Sequence, residues 1–313
     1  MTENLGSGRA ATPPLPGKDA ARLMRLATYG AVSVAAILIV AKFGAWLATE
    51  SVSLLSTLID SLLDVGASLV NLFAVRRALQ PADIDHRFGH GKAEPLAGLA
   101  QSAFICGSAL FLVIESADRF IHPRTVVNTD TGYLVMVFSI VLTVSLVAFQ
   151  RHVVKKTGSL AISADSLHYQ TDVMINLSVV VSLWLAGDKG IYFADPLFAI
   201  VIAAYLVWGA LKIGGQSLNL LMDRELPIED RRRIREIALA HWKVLDMHDM
   251  RTRSSGTKMF IQLHLEMDGD MTLNESHEVT EDVMHEIERA FPNADIIIHE
   301  DPLGVDEKRD GLD

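Results

Sequence analysis

Cysteine is almost missing from this chain, with one residue, Cys106, in 313. A lone thiol excludes an internal disulfide and any cysteine-based zinc motif, so metal chemistry here has to rest on His, Asp and Glu. Positive charge is short as well: 28 Lys and Arg stand against 38 Asp and Glu, a net charge of -10. No Lys/Arg-rich block with interleaved aromatics occurs, which argues against nucleic acid as a partner. A Gly-x-x-x-x-Gly-Lys-Ser/Thr loop is absent, so no nucleotide is expected. His-Glu-x-x-His is absent too; the nearest string, His277-Glu-Val-Thr-Glu281, lacks the second His, so a metallohydrolase is not expected either. The first residues, Met1 to Asp19, carry Glu3 and no apolar core followed by a small-residue cleavage site. They read as a disordered tail, not a cleaved signal peptide.

What the chain has in quantity is apolar sequence. Half of it is hydrophobic and its mean hydropathy is +0.28, with 21% charged residues, so the charges are segregated from the apolar runs. Six runs are long enough to cross a ~30 Å hydrocarbon core at ~1.5 Å per residue. They are Ala27 to Thr49, Ser53 to Val75, Leu96 to Ile121, Gly132 to Phe149, Leu160 to Ala186 and Phe193 to Ile213. Six crossings leave both termini on one side of a lipid bilayer. Arg9, Lys18, Arg22 and Arg25, then Arg76, Arg77, Arg87 and Lys92, then Arg151, Lys155 and Lys156 flank that side, against Arg119, Arg124 and Lys189 on the other. The positive-inside rule makes both termini cytoplasmic. The expected location is a bacterial plasma (inner) membrane, since no organelle transit sequence is seen.

The charges inside the spans are few and regularly placed. Ser53 to Val75 contains only Asp60 and Asp64, four apart, within a stripe of Thr57, Asp60, Asp64, Ser68 and Asn71. About a hundred residues later His168 and Asp172 repeat that spacing, with Asn176 a further turn along and Asp165, expected near the water interface, one turn before. Residues four apart share a helix face, so two such helices packed together would bring three carboxylates and one imidazole to one point. Each carboxylate at the bilayer centre costs ~2.5 to 3.5 kcal/mol, which asks for a compensating cation. Donors O, O, N, O suit tetrahedral Zn²⁺ and tolerate Fe²⁺, Cd²⁺ or Mn²⁺. The bland alternative is an interhelical hydrogen-bonding seam.

Two more clusters are polar. Between the second and third spans, Asp83-x-x-His86-x-x-x-His90 is threaded with Gly89 and Gly91; the spacing fits a metal-binding loop and a hydrated loop with incidental histidines equally well. After Leu221 about ninety mostly polar residues follow. They read as a helix from Pro227 to Ala240, strands Met247 to Arg253 and Lys258 to Met267 around Ser254-Ser255-Gly256, a helix from a capping box at Thr272-x-x-Glu275 to about Ala290, and a short strand Asp295 to His299. The order αββαβ suggests a truncated ferredoxin-like sandwich. His248, His264, His277, His299 and Asp301 lie at element ends or on the polar face of the second strand.

Asp60-x-x-x-Asp64, His-Arg-Phe-Gly-His-Gly-Lys-Ala-Glu after Asp83, His168-x-x-x-Asp172, His-Asp-Met-Arg-Thr-Arg and Ile-Ile-His-Glu-Asp-Pro together resemble the cation diffusion facilitator family, in its bacterial zinc and ferrous-iron efflux branch, over about residues 20 to 303. The resemblance implies a six-helix transmembrane domain (21–216) between a tail (1–20) and a metallochaperone-like cytoplasmic domain (217–303) that ends in a second tail (304–313). It implies a homodimer exchanging Zn²⁺ for protons. It makes Asp60, Asp64, His168 and Asp172 the transport site and Asp83, His86 and His90 a loop site. His248, His264, His277, His299 and Asp301 become a cytoplasmic two-zinc site, and Lys92 and Asp223 a charged pair tying subunits together. Asp60, where more zinc-selective members are described as carrying His, leaves iron, cadmium or manganese open as cargo. A non-transporting metal sensor or buffer is the alternative function.

Overall fold

A computed structural model describes residues 17–49, 52–121, 130–189, 194–256 and 258–304. Six long helices come first: α1 (Gly17–Thr49), α2 (Val52–Ala78), α3 (Ala93–Ile121), α4 (Asp130–Thr157), α5 (Leu160–Lys189) and α6 (Ala194–Leu221). Each contains one of the six apolar runs and most extend a turn or more beyond it into polar sequence, because a helix satisfies its own backbone and continues until a breaker such as Gly158 intervenes. Gly158, at φ +67, ends α4. Phe193, the expected start of the sixth run, lies outside the described residues, as do most of both tails.

Among the described residues, four of these helices are long and apolar enough to cross a membrane: 18–47, 93–118, 135–157 and 196–221. α2 and α5 are as long, but they carry the polar stripe. Packing explains why that stripe is tolerated. Lys42 donates to Ser61 at 2.6 Å, and the Ser68 hydroxyl meets the Tyr169 hydroxyl at 2.8 Å, so polar positions pair between helices instead of facing lipid. Close approach is achieved with small residues. A Cβ on Gly98 would lie 2.8 Å from Ser217 Oγ and one on Gly214 2.9 Å from Ser102 Oγ, which locks α3 against α6.

The remainder folds as α7 (Ile228–Leu239), β1 (Asp246–Ser255), β2 (Lys258–Met267), α8 (Leu273–Ala290) and β3 (Ala294–Pro302). The sheet order is β1-β2-β3, with β1 antiparallel and β3 parallel to β2. Ile261, Leu263, Leu265 and Met267 point from β2 into a core with Ile234 and Ala238 of α7 and Val279, Val283 and Ile287 of α8. Each of these side chains larger than alanine contributes about 1.5 to 3 kcal/mol by leaving water. The capping box at Thr272 and Glu275 is formed in both directions. β1 and β3 run longer than the sequence suggests, because hairpin and crossover pairing extends them past their apolar stretches. β1 also carries a bulge between His248 and Arg251, with Asp249 at φ +47.

Candidate metal centres

Among the described residues, three clusters bring their ligand atoms within 4.8 Å of one another: Asp64, His168 and Asp172; Asp83, His86 and His90; and His248, His264 and Asp301. The first sits inside the bundle. Asp64 of α2 and His168 and Asp172 of α5 converge, with His168 Nε2 2.9 Å from Asp64 Oδ1. Phe104 edges the imidazole at 6.1 Å between centroids and Tyr169 flanks it at 5.6 Å. The donor set is O, N, O, three of the four positions a tetrahedral ion takes. Asp60 lies one turn before Asp64 on α2, and its side chain falls outside those described.

Asp165, expected near the water interface, is 1% exposed within the chain, because the start of α5 is wedged between α3 and α4; Gln150 Nε2 donates to its Oδ2 at 2.6 Å and Gln101 lies close by. Asp165 Oδ1, Gln150 Oε1 and Gln101 Nε2 are buried without a hydrogen-bond partner. This polar knot, together with the Ser68–Tyr169 pair, is invisible to a pattern that looks for charges four apart, since the two glutamines come from helices with no ligand of their own.

The loop cluster is Asp83, His86 and His90. Asp83 Oδ1 accepts from the backbone N–H of His86 at 2.7 Å and of Asp85 at 3.1 Å, a turn that points the carboxylate inward. The His86 N–H first, then the His86 ring, the Asp85 N–H and nearby His90, outweigh desolvation and hold this carboxyl below its usual range. His90 is buried with neither ring nitrogen hydrogen-bonded, although Nε2 stands 3.2 Å from Asp83 Oδ2. An imidazole withdrawn from water without hydrogen bonds in geometry is an unsatisfied buried polar group.

The third cluster is made by sheet register. His248 faces His264 across β1 and β2, and His264 faces His299 across β2 and β3. Asp301 gathers them: its Oδ2 is 2.8 Å from His264 Nδ1 and 3.5 Å from His248 Nε2, and its Oδ1 is 3.1 Å from His299 Nε2. Both nitrogens of buried His248 lack hydrogen bonds, and Glu266 stands 3.4 Å from its Nδ1. Such donors fit a borderline-soft divalent cation such as zinc. His277 is exposed on α8 and is not drawn into this group within the chain. Glu266, which the sequence does not single out, is the further ligand-type residue beside this group.

Lys92 and Asp223 meet inside one chain, at 3.0 Å, with Arg253 3.4 Å from the same carboxylate. Partial burial opposes ionisation of Asp223, but Lys92 and then Arg253 outweigh it and lower its titration. The pair thus joins the start of α3 to the segment after α6.

The Cation efflux transmembrane domain family matches residues 29–222, and the cytoplasmic domain family of cation efflux proteins matches residues 226–303. The cation-efflux pump FieF of Pectobacterium atrosepticum is 48% identical over 285 residues, covering 91% of this chain and 95% of that protein. FieF of Shewanella oneidensis is 45% identical over 283 residues, covering 90% and 95%. Among solved structures, the metal-bound C-terminal domain of the CzcD transporter from Thermotoga maritima is 31% identical, over 26% of this chain and 94% of that one, with a TM-score of 0.25.

Proposed function

Because this chain belongs to the cation diffusion facilitator family of cation efflux proteins, we propose that it exports a divalent metal cation from the cytoplasm in exchange for protons. The observation that carries this reading is the convergence of Asp64, His168 and Asp172 inside the helical bundle. In this reading Asp60 completes the set, the cargo is Zn²⁺ or an ion of similar size such as Fe²⁺, Cd²⁺ or Mn²⁺, and α2 and α5 cross the bilayer with the other four helices. The transmembrane part spans 21–216 and a ferredoxin-like cytoplasmic part 217–303. Both termini are cytoplasmic, the membrane is the bacterial inner membrane, and the working unit is a homodimer.

Direction follows from competition for the same lone pairs. A cation binds ionised carboxylates and an imidazole free of its second proton, so each proton taken up weakens the metal and each metal bound releases protons. A site that loads from the cytoplasm and opens to the more acidic side lets go of its ion there. Two helix packings that alternate access around a fixed midplane site are all this requires.

The remaining clusters are resident sites in this reading. His248, His264, His299 and Asp301 would hold zinc, with His277 joining from the partner subunit or after a shift of α8, and Asp83, His86 and His90 would hold a further ion. Zinc bound there supplies cross-links between strands and between subunits. The test is metal flux in proteoliposomes with and without an imposed pH gradient, wild type against Asp64→Ala and His168→Ala. Gradient-driven flux lost in either variant supports the exporter; no wild-type flux, with Zn²⁺ still bound to the C-terminal domain, sinks it in favour of a sensor.

A further inference from the structure

Glu94, like Asp165, is a buried carboxylate that takes no part in any of the three clusters. Glu94 lies in the first turn of α3, four residues past His90, and is 4% exposed. A carboxylate so deep needs donors. The groups that favour its charge lie at the start of another helix: the Ser159 hydroxyl and the backbone N–H groups of Leu160 and Ala161. Those two amides belong to the first turn of α5, whose N–H groups have no acceptor within their own helix. Ser159 adds a cap of its own by accepting from the Ile162 N–H at 3.3 Å. Glu94 therefore closes the N-terminus of α5 from across the bundle, at the helix end whose dipole favours negative charge.

The C-terminal domain meets the same point. A Cβ on Gly256, in the β1–β2 turn, would sit 3.3 Å from Glu94 Oε2 and 3.5 Å from the Gly91 carbonyl oxygen. A Cβ on Gly91 would sit 2.3 Å from the Ser255 carbonyl oxygen, closer than any real contact. The turn is thus seated on the start of α3 with no room for a methyl group. From this junction α5 runs about 12 Å, at ~1.5 Å per residue, to His168 and one turn more to Asp172.

We propose that Glu94 is a positioning residue which sets the height and rotation of α5, and through it the geometry of His168 and Asp172, against α3 and the β1–β2 turn. It acts through the helix and touches no metal. The proposal rests on the reading that Asp64, His168 and Asp172 hold the transported cation.

The test uses the full-length chain carrying Asp83→Ala and Asp301→Ala, which leaves the intramembrane cluster as the one to titrate. Zn²⁺ binding is measured by calorimetry, and backbone hydrogen exchange is followed over residues 159–164. Glu94→Ala is expected to weaken Zn²⁺ binding about tenfold, the scale seen when a ligand loses its support, and to speed exchange in that segment. Glu94→Gln, which keeps an acceptor oxygen, should recover most of both. Gly91→Ala should speed exchange at the same amides by lifting the turn. Should Glu94→Ala fail to fold, Ser159→Ala removes one donor to the same carboxylate and shifts both readouts the same way by a few-fold. Affinity and exchange like those of the parent in either variant overturn the proposal. A parent that binds no Zn²⁺ at all defeats the functional reading instead, and exchange over 159–164 then decides the role of Glu94 by itself.

Discussion

The intramembrane cluster and the C-terminal cluster use the same two kinds of side chain and assemble them in opposite ways. Asp64, His168 and Asp172 come from two helices about a hundred residues apart, and matching one-turn spacing is enough to bring them together. His248, His264 and His299 come from three strands, and only the pairing register sets them in one row. A slip of one residue would send His264 to the opposite face of the sheet. The helical site depends on the height and rotation of two helices, while the sheet site depends on every turn and bulge that fixes register. In the proposed function the helical site moves and the sheet site holds its ion, and the two modes of assembly suit those roles.

Variants can break or sharpen that contrast. The largest effect is expected from Asp64→Ala, which leaves His168 without its 2.9 Å partner; flux in proteoliposomes should fall below detection while zinc binding to the C-terminal domain stays intact. Next comes Leu263→Ala in the core of the sheet. Removing a fully buried leucine should lower the stability of the C-terminal domain by about 2 to 5 kcal/mol, read as an earlier thermal transition with the bundle's helicity unchanged. A single coincident transition would show that the two regions are not independent.

Asp301→Ala is third. Three imidazoles lose their shared carboxylate, so zinc affinity of the C-terminal domain should drop at least tenfold, the range for disrupted metal support, with flux retained but no longer raised by cytosolic-side metal. Flux that still rises with metal on that side would separate the cluster from control of transport. The smallest effect is that of Lys92→Ala, about 0.2 to 1 kcal/mol for a pair this exposed. Asp223 titrates below its ordinary 3.8, so the pair's contribution is fully present above that value and is lost as pH falls through the lower folded value. The stability gap between Lys92→Ala and wild type should accordingly close below about pH 3.8 and stay constant above it.

Legibility followed periodicity. The 3.6-residue repeat puts Asp64, His168 and Asp172 on facing stripes, and alternation along β2 puts Ile261, Leu263 and Leu265 on one face, which is the core. Turn chemistry placed the capping box at Thr272. What stayed hidden was contact between elements that share no pattern. Asp165 reads as an edge residue by position and is buried because α3 and α4 close over it. Lys92 and Asp223 carry no spacing signal, and they meet because α6 packs along α3 and ends beside its start.

By itself the sequence determined the helices, their apolar faces, the ligand types and the family, because hydropathy and side-chain chemistry are local properties of the chain. Only the tertiary structure decided which strands align their histidines, which glutamines reach Asp165, and that Glu94 caps a helix other than its own. Those depend on register and close approach between segments far apart in the chain, where a single glycine or a one-residue shift changes the neighbour.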